Sequence, residues 1–244
     1  MLGTELLDDP YADPALVRAE LRDIERLNTM FGGTRAVLDA LRPIFEKAGS
    51  GERGMGNGAA RWTLLDVGTG AGGIPRAVQR FAKRHGIDLD LLGVERIPAA
   101  AGLARAAGVA TIVADGAALP LAPRSVDVVL ASQVLHHVPR EVGVRWIAAF
   151  DRIARRAVVL ADLRRSRLAM AGMWAVSFPL GLPRQTRRDA VLSLRRGFTR
   201  AELDSMLQEG GVPARAYYAP VARIVAAWEP STVSRQPSVL TAES

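Results

Sequence analysis

The apolar positions of this chain change period several times along its length. Between residues 14 and 47, Leu16, Leu21, Ile24, Leu27 and Phe31 recur at helical spacing, with a break at Gly32-Gly33, so this stretch is expected to be an N-terminal helical cap. Residues 48–60, AGSGERGMGNGAA, hold five glycines and read as a flexible linker. Short apolar runs then alternate with amphipathic ones. Strands are expected at Thr63–Val67, Leu89–Val94, Ala110–Val113, Val126–Ala131 and Ala157–Ala161. Helices fill the gaps: Pro75–His85 stops at Gly86, and Pro98–Ala107 stops at Gly108. Pro139–Ala154 carries Val142, Trp146, Phe150 and Ile153 on one face. Such alternation predicts a mostly parallel sheet with helices on both sides, a three-layer α/β/α arrangement.

The pattern changes after the fifth strand. Residues 168–183, LAMAGMWAVSFPLGLP, carry no charge and lie between Arg164, Arg165 and Arg167 on one side and Arg184, Arg187 and Arg188 on the other. The run is too short and too broken by proline to span a membrane. Three readings stay open: a helix packed on the sheet, a lid over a lipophilic substrate, or an insertion resting on a membrane surface. Residues 168–197 are taken together as a lid insertion. Thr199 and Glu202 have the spacing of a capping box that opens a helix ending at Gly210-Gly211. Tyr217–Trp228 reads as an antiparallel edge hairpin around Pro220, and residues 229–244 read as a disordered tail. The organisation is a cap (1–47), a linker (48–60), one α/β domain (61–228) and a tail.

Composition narrows the chemistry. With 244 residues, 49% of them hydrophobic, the chain can bury the core of one α/β domain. It has no cysteine, which removes disulfides, thiolate zinc sites, iron–sulfur clusters and cysteine nucleophiles. The opening MLGTELLDDPYADP is acidic and lacks the apolar core of a signal peptide, so a cytoplasmic location is expected. The net charge of +7 brings nucleic acid and anionic membranes into view as partners. Nearly all of the basic residues are arginine, with lysine only at 47 and 83, and a compositional bias explains that equally well.

The densest chemical signal is Leu64-Leu65-Asp66-Val67-Gly68-Thr69-Gly70-Ala71-Gly72-Gly73-Ile74-Pro75. An apolar strand runs into a glycine turn that lets backbone approach a ligand, and the helix beyond offers unpaired N–H groups. Gly68, Gly70 and Gly73 also satisfy the dinucleotide pattern, so glycines alone do not exclude NAD. Asp66 separates the two readings. A carboxylate opposes a pyrophosphate but suits S-adenosylmethionine (SAM), which carries an amino group and a sulfonium. Asp66 could also fix the glycine loop through backbone N–H groups.

The order of these motifs over residues 60–228 resembles the class I SAM-dependent methyltransferase family. Asp66–Gly70 resembles its glycine motif. Glu95, closing Leu91-Leu92-Gly93-Val94-Glu95, resembles the acid that holds the ribose hydroxyls, about 22 residues past Gly73 as a βαβ unit requires. Asp115 resembles the acid facing the adenine amino group, and Asp127–Val138 resembles the fourth strand and its turn. The resemblance implies a Rossmann-like seven-stranded sheet with an antiparallel edge strand, and SAM as methyl donor with no metal. It further implies cofactor contacts from Asp66, Gly68, Thr69, Gly70, Glu95, Arg96, Asp115, Gly116, Ser132 and Gln133. It places His136 and His137 where the active site opens, as candidate bases, with His136 the first choice. His85, at a helix end, is read as a favourable cation near the helix dipole.

Absences guide the acceptor. The Asn/Asp-Pro-Pro-aromatic turn of amino-methylating nucleic-acid enzymes is replaced by Ala131-Ser132-Gln133-Val134, and Asp162 has no clear partner for a catechol-type metal pair. These features argue against nucleic acid. The expected acceptor is a small hydrophobic phenol, quinone or polyketide-like molecule, methylated on oxygen or carbon in a secondary-metabolic setting. Arg164, Met170, Trp174 and Phe178 are the candidate substrate contacts, Met173 would also line such a pocket, and Asn28, Phe31 and Arg35 of the cap could close over the cofactor. Contact with a membrane surface is a further expectation. The alternatives are an RNA methyltransferase, an NAD-binding oxidoreductase, and a SAM-binding protein without turnover.

Overall fold

A computed structural model of the chain describes residues 3–51, 60–116 and 119–230. Seven strands form one sheet: β1 (Ala60–Val67), β2 (Ile87–Glu95), β3 (Ala110–Val113), β4 (Val126–Ser132), β5 (Ala154–Leu163), β6 (Tyr217–Ala219) and β7 (Arg223–Trp228). Their order is β3-β2-β1-β4-β5-β7-β6. The first five run parallel, and β7 pairs antiparallel with both β5 and β6. The reversed strand therefore lies one place in from the edge, and β6 forms the edge itself. β4 is buried along its whole length. Its one acid, Asp127, is satisfied there, accepting from Thr63 N at 2.9 Å and Arg155 Nη1 at 3.1 Å.

Eight helices surround the sheet in the described residues: α1 (Pro14–Met30), α2 (Gly33–Gly51), α3 (Gly73–Arg84), α4 (Pro98–Ala106), α5 (Arg140–Ile153), α6 (Arg167–Ser177), α7 (Arg184–Arg196) and α8 (Arg200–Glu209). Ile147 and Phe150 of α5 and Leu203 and Leu207 of α8 fill one side of the core. Leu41 and Phe45 of α2 and Val78 and Phe81 of α3 fill the other. Each apolar stripe faces the sheet, as the helical periodicity requires. Asp13 caps α1 by accepting from Ala15 N and Leu16 N, and Val17 and Leu21 then meet Ile97 and Ala100 at the start of α4. The Thr199–Glu202 capping box is formed in both directions.

Two segments differ from the sequence expectation. Helix α2 continues to Gly51, so residues 48–51 of the expected linker are helical; residues 52–59 and the tail 231–244 lie outside the described residues. The charge-free run does not cover the sheet. It forms α6, which lies against α7, and leaves Leu168 84%, Trp174 58% and Phe178 50% exposed. No helix among the described residues is long and apolar enough to cross a membrane.

The strand order reverses between β1 and β4, which opens a crevice beyond their carboxyl ends. The extreme N-terminus closes part of it. A 3₁₀ turn at Leu6–Asp8 is tied to α7: Leu6 N donates to Asp189 Oδ2 at 2.9 Å, and Ser193 Oγ donates to Glu5 Oε2 at 2.7 Å.

Candidate active site

The crevice holds a cavity of about 690 Å³. That is ample for a nucleoside-sized ligand together with a small acceptor. One wall is the glycine turn. Gly68 N and Thr69 N donate to Val94 O at 2.8 and 3.2 Å, which pins the turn to the end of β2. Gly68 has φ +74°, and a Cβ there would come within 2.5 Å of Val134 Cγ2. The turn thus needs glycine both for its dihedral and for close approach of the next loop.

Glu95 is buried and works inside the protein first. Its Oε2 accepts from Gly70 N at 2.9 Å and its Oε1 from Ile97 N at 3.0 Å. Each carboxylate oxygen keeps a further lone pair, so Glu95 can hold a diol while fixing the turn. Asp115 and Gly116 line the same wall, and a Cβ on Gly116 would meet Trp146 at 2.7 Å. Thr69, Gly70, Arg96, Ser132 and Gln133 also line the cavity. Gln133 is held at φ +55°, unusual for a non-glycine residue, and its Nε2 donates to Asn28 Oδ1 at 2.7 Å.

Asp66 is placed differently. It is buried behind the turn and is not among the cavity-lining residues, so its position favours supporting the loop over touching a ligand. Burial pushes its carboxyl up to about 7.

The opposite wall carries the histidines. His136 and His137 sit in a 3₁₀ turn at Leu135–His137 after β4, their ring centroids 4.2 Å apart. His136 Nδ1 lies 2.6 Å from Asp162 Oδ1 at the end of β5, and both side chains are almost fully buried. Burial alone would raise the Asp162 carboxyl, but the charge and hydrogen bond of His136 hold it below the usual range. An ionised carboxylate only accepts, so Nδ1 carries a proton toward Asp162, and whenever the ring is neutral Nε2 keeps its lone pair. That Nε2 is buried, belongs to a cavity-lining residue and has no partner. Asp162 was not identified as a histidine partner in the sequence; nothing local links positions 136 and 162.

His137 is held in the same way from the N-terminus. Its Nδ1 lies 2.8 Å from Asp8 Oδ1, and Arg196 Nη2 donates to Asp8 Oδ2 at 2.8 Å. Partial burial raises Asp8, but the bonds from His137 and Arg196 outweigh it and hold this carboxyl well below the usual range. Arg196 Nη1 also donates to Glu5 Oε1 at 3.1 Å. Glu5, Asp8 and Arg196 were absent from the expected site because their proximity depends on residues 5–8 docking on α7, far along the chain.

The expected substrate contacts do not assemble. Arg164 stacks on Tyr218 at 4.0 Å, and Met170, Trp174 and Phe178 all lie outside the cavity. The reason is the placement of α6 outside α7. The wall beside the histidines is built instead by Leu163, Met173 and the α7 residues Ala190, Ser193 and Leu194. Asn28 and Arg35 of the cap do line the cavity, whereas Phe31 does not.

Three buried polar atoms on lining residues lack a partner: Ser132 Oγ, His136 Nε2 and Trp146 Nε1. Unsatisfied buried groups are costly, and their grouping around one cavity fits a polar ligand that would satisfy them. An adenosyl amino acid has the hydroxyls, ring nitrogens and charged ends to do so.

Residues 65–161 match the family described as "Methyltransferase domain". An uncharacterized methyltransferase of Mycobacterium avium is 46% identical over 91 residues, which is 36% of this chain and 34% of that protein. One of Mycobacterium ulcerans is 46% identical over 89 residues, 35% of this chain and 32% of that protein. The matched stretch is thus about a third of each relative's length. In fold, the chain is similar to a SAM-dependent methyltransferase of Aquifex aeolicus, with TM-score 0.58, 14% identity, and coverage of 90% of this chain and 99% of that one. It is also similar to a TehB-like SAM-dependent methyltransferase of Corynebacterium glutamicum, with TM-score 0.53, 14% identity, and coverage of 90% and 100%.

Proposed function

We propose that the chain carries a class I SAM-dependent methyltransferase domain and methylates oxygen or carbon of a small, hydrophobic phenol, quinone or polyketide-like acceptor. The observation that supports this most is the His136–Asp162 pair, whose free Nε2 borders the cavity that the glycine turn also lines.

SAM, when bound, supplies a methyl group already activated by its sulfonium. The chain's own work is to hold, align and exclude water. Gly68–Gly70, Glu95 and Asp115 form the wall for the nucleoside, and Glu95 keeps the turn rigid while doing so. The acceptor's place is beside His136, between Leu163, Met173 and Leu194. With SAM bound, His136 Nε2 would take the proton from a phenol or enol as the methyl group leaves the sulfonium sulfur for the acceptor's oxygen or carbon, giving S-adenosylhomocysteine, and Asp162 would stabilise the resulting imidazolium. His137, turned toward the N-terminal strap by Asp8, closes the wall.

The test is calorimetric titration of the full chain with SAM, S-adenosylhomocysteine and NAD, followed by methyl transfer to a panel of phenols and quinols. Micromolar binding of SAM and its product, with turnover on a phenolic acceptor, is expected. Binding of NAD alone would overturn the cofactor reading. SAM binding with transfer only to RNA would overturn the acceptor reading.

A further inference from the structure

We infer that Glu5, His136 and His137 form a binding site for a divalent transition-metal cation, which competes with the acceptor's proton for His136 Nε2. One donor atom from each of the three residues lies within 4.8 Å of the others. His137 Nε2 and Glu5 Oε2 are 3.8 Å apart, too far for a hydrogen bond. Two ligands on one zinc ion, each at about 2.0–2.2 Å, would sit roughly 3.4 Å apart. Slight inward movement would therefore suffice.

The surroundings are those of a metal centre rather than of an ordinary histidine pair. Histidines that bind metals commonly donate their second ring N–H to a carboxylate, which fixes the tautomer and aims the free nitrogen. Both histidines here have that arrangement, His136 with Asp162 at 2.6 Å and His137 with Asp8 at 2.8 Å. The His136 side chain is 1% exposed and its Nε2 is unpartnered, so a buried lone pair is left to be filled. The third group, Glu5, is held by Ser193 Oγ at 2.7 Å and Arg196 Nη1 at 3.1 Å.

The local charge suits a dication. Three carboxylates, Glu5, Asp8 and Asp162, surround the two rings, with the Arg196 guanidinium on Glu5 and Asp8 and that of Arg96 on the Asp8 carbonyl. Asp189 adds a further acid behind Glu5. Two nitrogen donors with one oxygen select zinc or its first-row neighbours over Mg²⁺ and Ca²⁺, which prefer oxygen.

Binding of the cation stands on this geometry alone; its effect on catalysis rests on His136 acting as the base. With the lone pair of His136 taken up by metal, proton removal from the acceptor stops. The experiment is calorimetry of the untagged full chain with Zn²⁺ and, as a control, Mg²⁺, together with visible absorption of the Co²⁺-loaded protein. One equivalent of Zn²⁺ is expected to bind, with a low-symmetry Co²⁺ spectrum and no heat from Mg²⁺. His136→Asn and Glu5→Gln should each weaken Zn²⁺ at least tenfold, and Asp8→Asn, which loosens only the outer carboxylate, by about tenfold. Glu5→Gln keeps the Ser193 contact, so it remains informative if His136→Asn fails to fold. Zinc should lower methyl transfer, with recovery on chelation and unchanged affinity for S-adenosylhomocysteine. Equal Zn²⁺ affinity in both variants, or Mg²⁺ binding as strong as Zn²⁺, would overturn the site. Zinc binding without loss of methyl transfer would overturn the competition. Zinc binding by a chain that does not bind S-adenosylhomocysteine would leave the cation site standing and remove the methyltransferase reading.

Discussion

The two walls of the cavity are built by opposite strategies. The nucleoside wall comes from Gly68–Gly70, Glu95 and Asp115, in chain order, at the ends of three neighbouring parallel strands. The histidine wall joins residues 5–8, 136–137, 162 and 190–196, so hydrogen bonds such as Ser193 to Glu5 span most of the chain. A contiguous wall can be fixed by one backbone motif and its near neighbours. A scattered wall exists only when distant elements dock, and it can vary without disturbing the first. That division suits an enzyme with a fixed methyl donor and a variable acceptor.

The sharpest way to break the nucleoside wall is Gly68→Ala. The new Cβ meets Val134 at 2.5 Å in a left-handed backbone, where an L side chain is already disfavoured. Affinity for S-adenosylhomocysteine should fall by about 100-fold or more, since each 1.4 kcal/mol is tenfold. Glu95→Ala should do the same by freeing Gly70 N and Ile97 N together. Unchanged calorimetric affinity in both would show that the cofactor sits elsewhere.

His136→Asn attacks the other wall. Methyl transfer to a phenol should drop by about 10²–10⁴-fold, the usual contribution of a general base, with cofactor affinity nearly unchanged. Asp162→Asn should lower turnover and move the alkaline-rising limb of the rate–pH profile, because it alters the tautomer and basicity of His136. A flat response to both would leave His136 a mere lining residue.

Each region also holds one acid that burial raises to about 7, Asp66 behind the glycine turn and Glu20 behind the strap. Their ordinary values are 3.8 and 4.5. A raised acid binds more protons folded than unfolded across that window, so its stabilising contribution is complete below about pH 4 and is lost as pH rises through 7. Asp66→Asn and Glu20→Gln should each flatten this decline, raising ligand-free stability at pH 8 by about 1–3 kcal/mol in denaturant titrations. A decline just as steep in both variants would mean that these acids ionise normally.

The smallest effect is expected outside both walls. Trp174→Ser and Phe178→Ser should leave cofactor affinity and acceptor KM within about twofold, as exposed substitutions usually cost little. A large rise in KM would return α6 to the acceptor site.

The sequence by itself determined the α/β order, the mostly parallel sheet and the glycine turn, while Glu95 and Asp115 were singled out by the resemblance to a family. The order and the turn depend on periodicity and spacing that backbone geometry translates directly into structure. It also singled out His136 and His137, though not what they face. Only the tertiary structure decided that Asp66 lies behind the turn, that Asp162 and Asp8 face the histidines, and that α7, with Met173 alone from α6, borders the cavity. An apolar run such as 168–183 records that a surface is greasy, without stating what covers it. A carboxylate's partner is fixed by docking across the fold, and no local period encodes the meeting of residues 5 and 193.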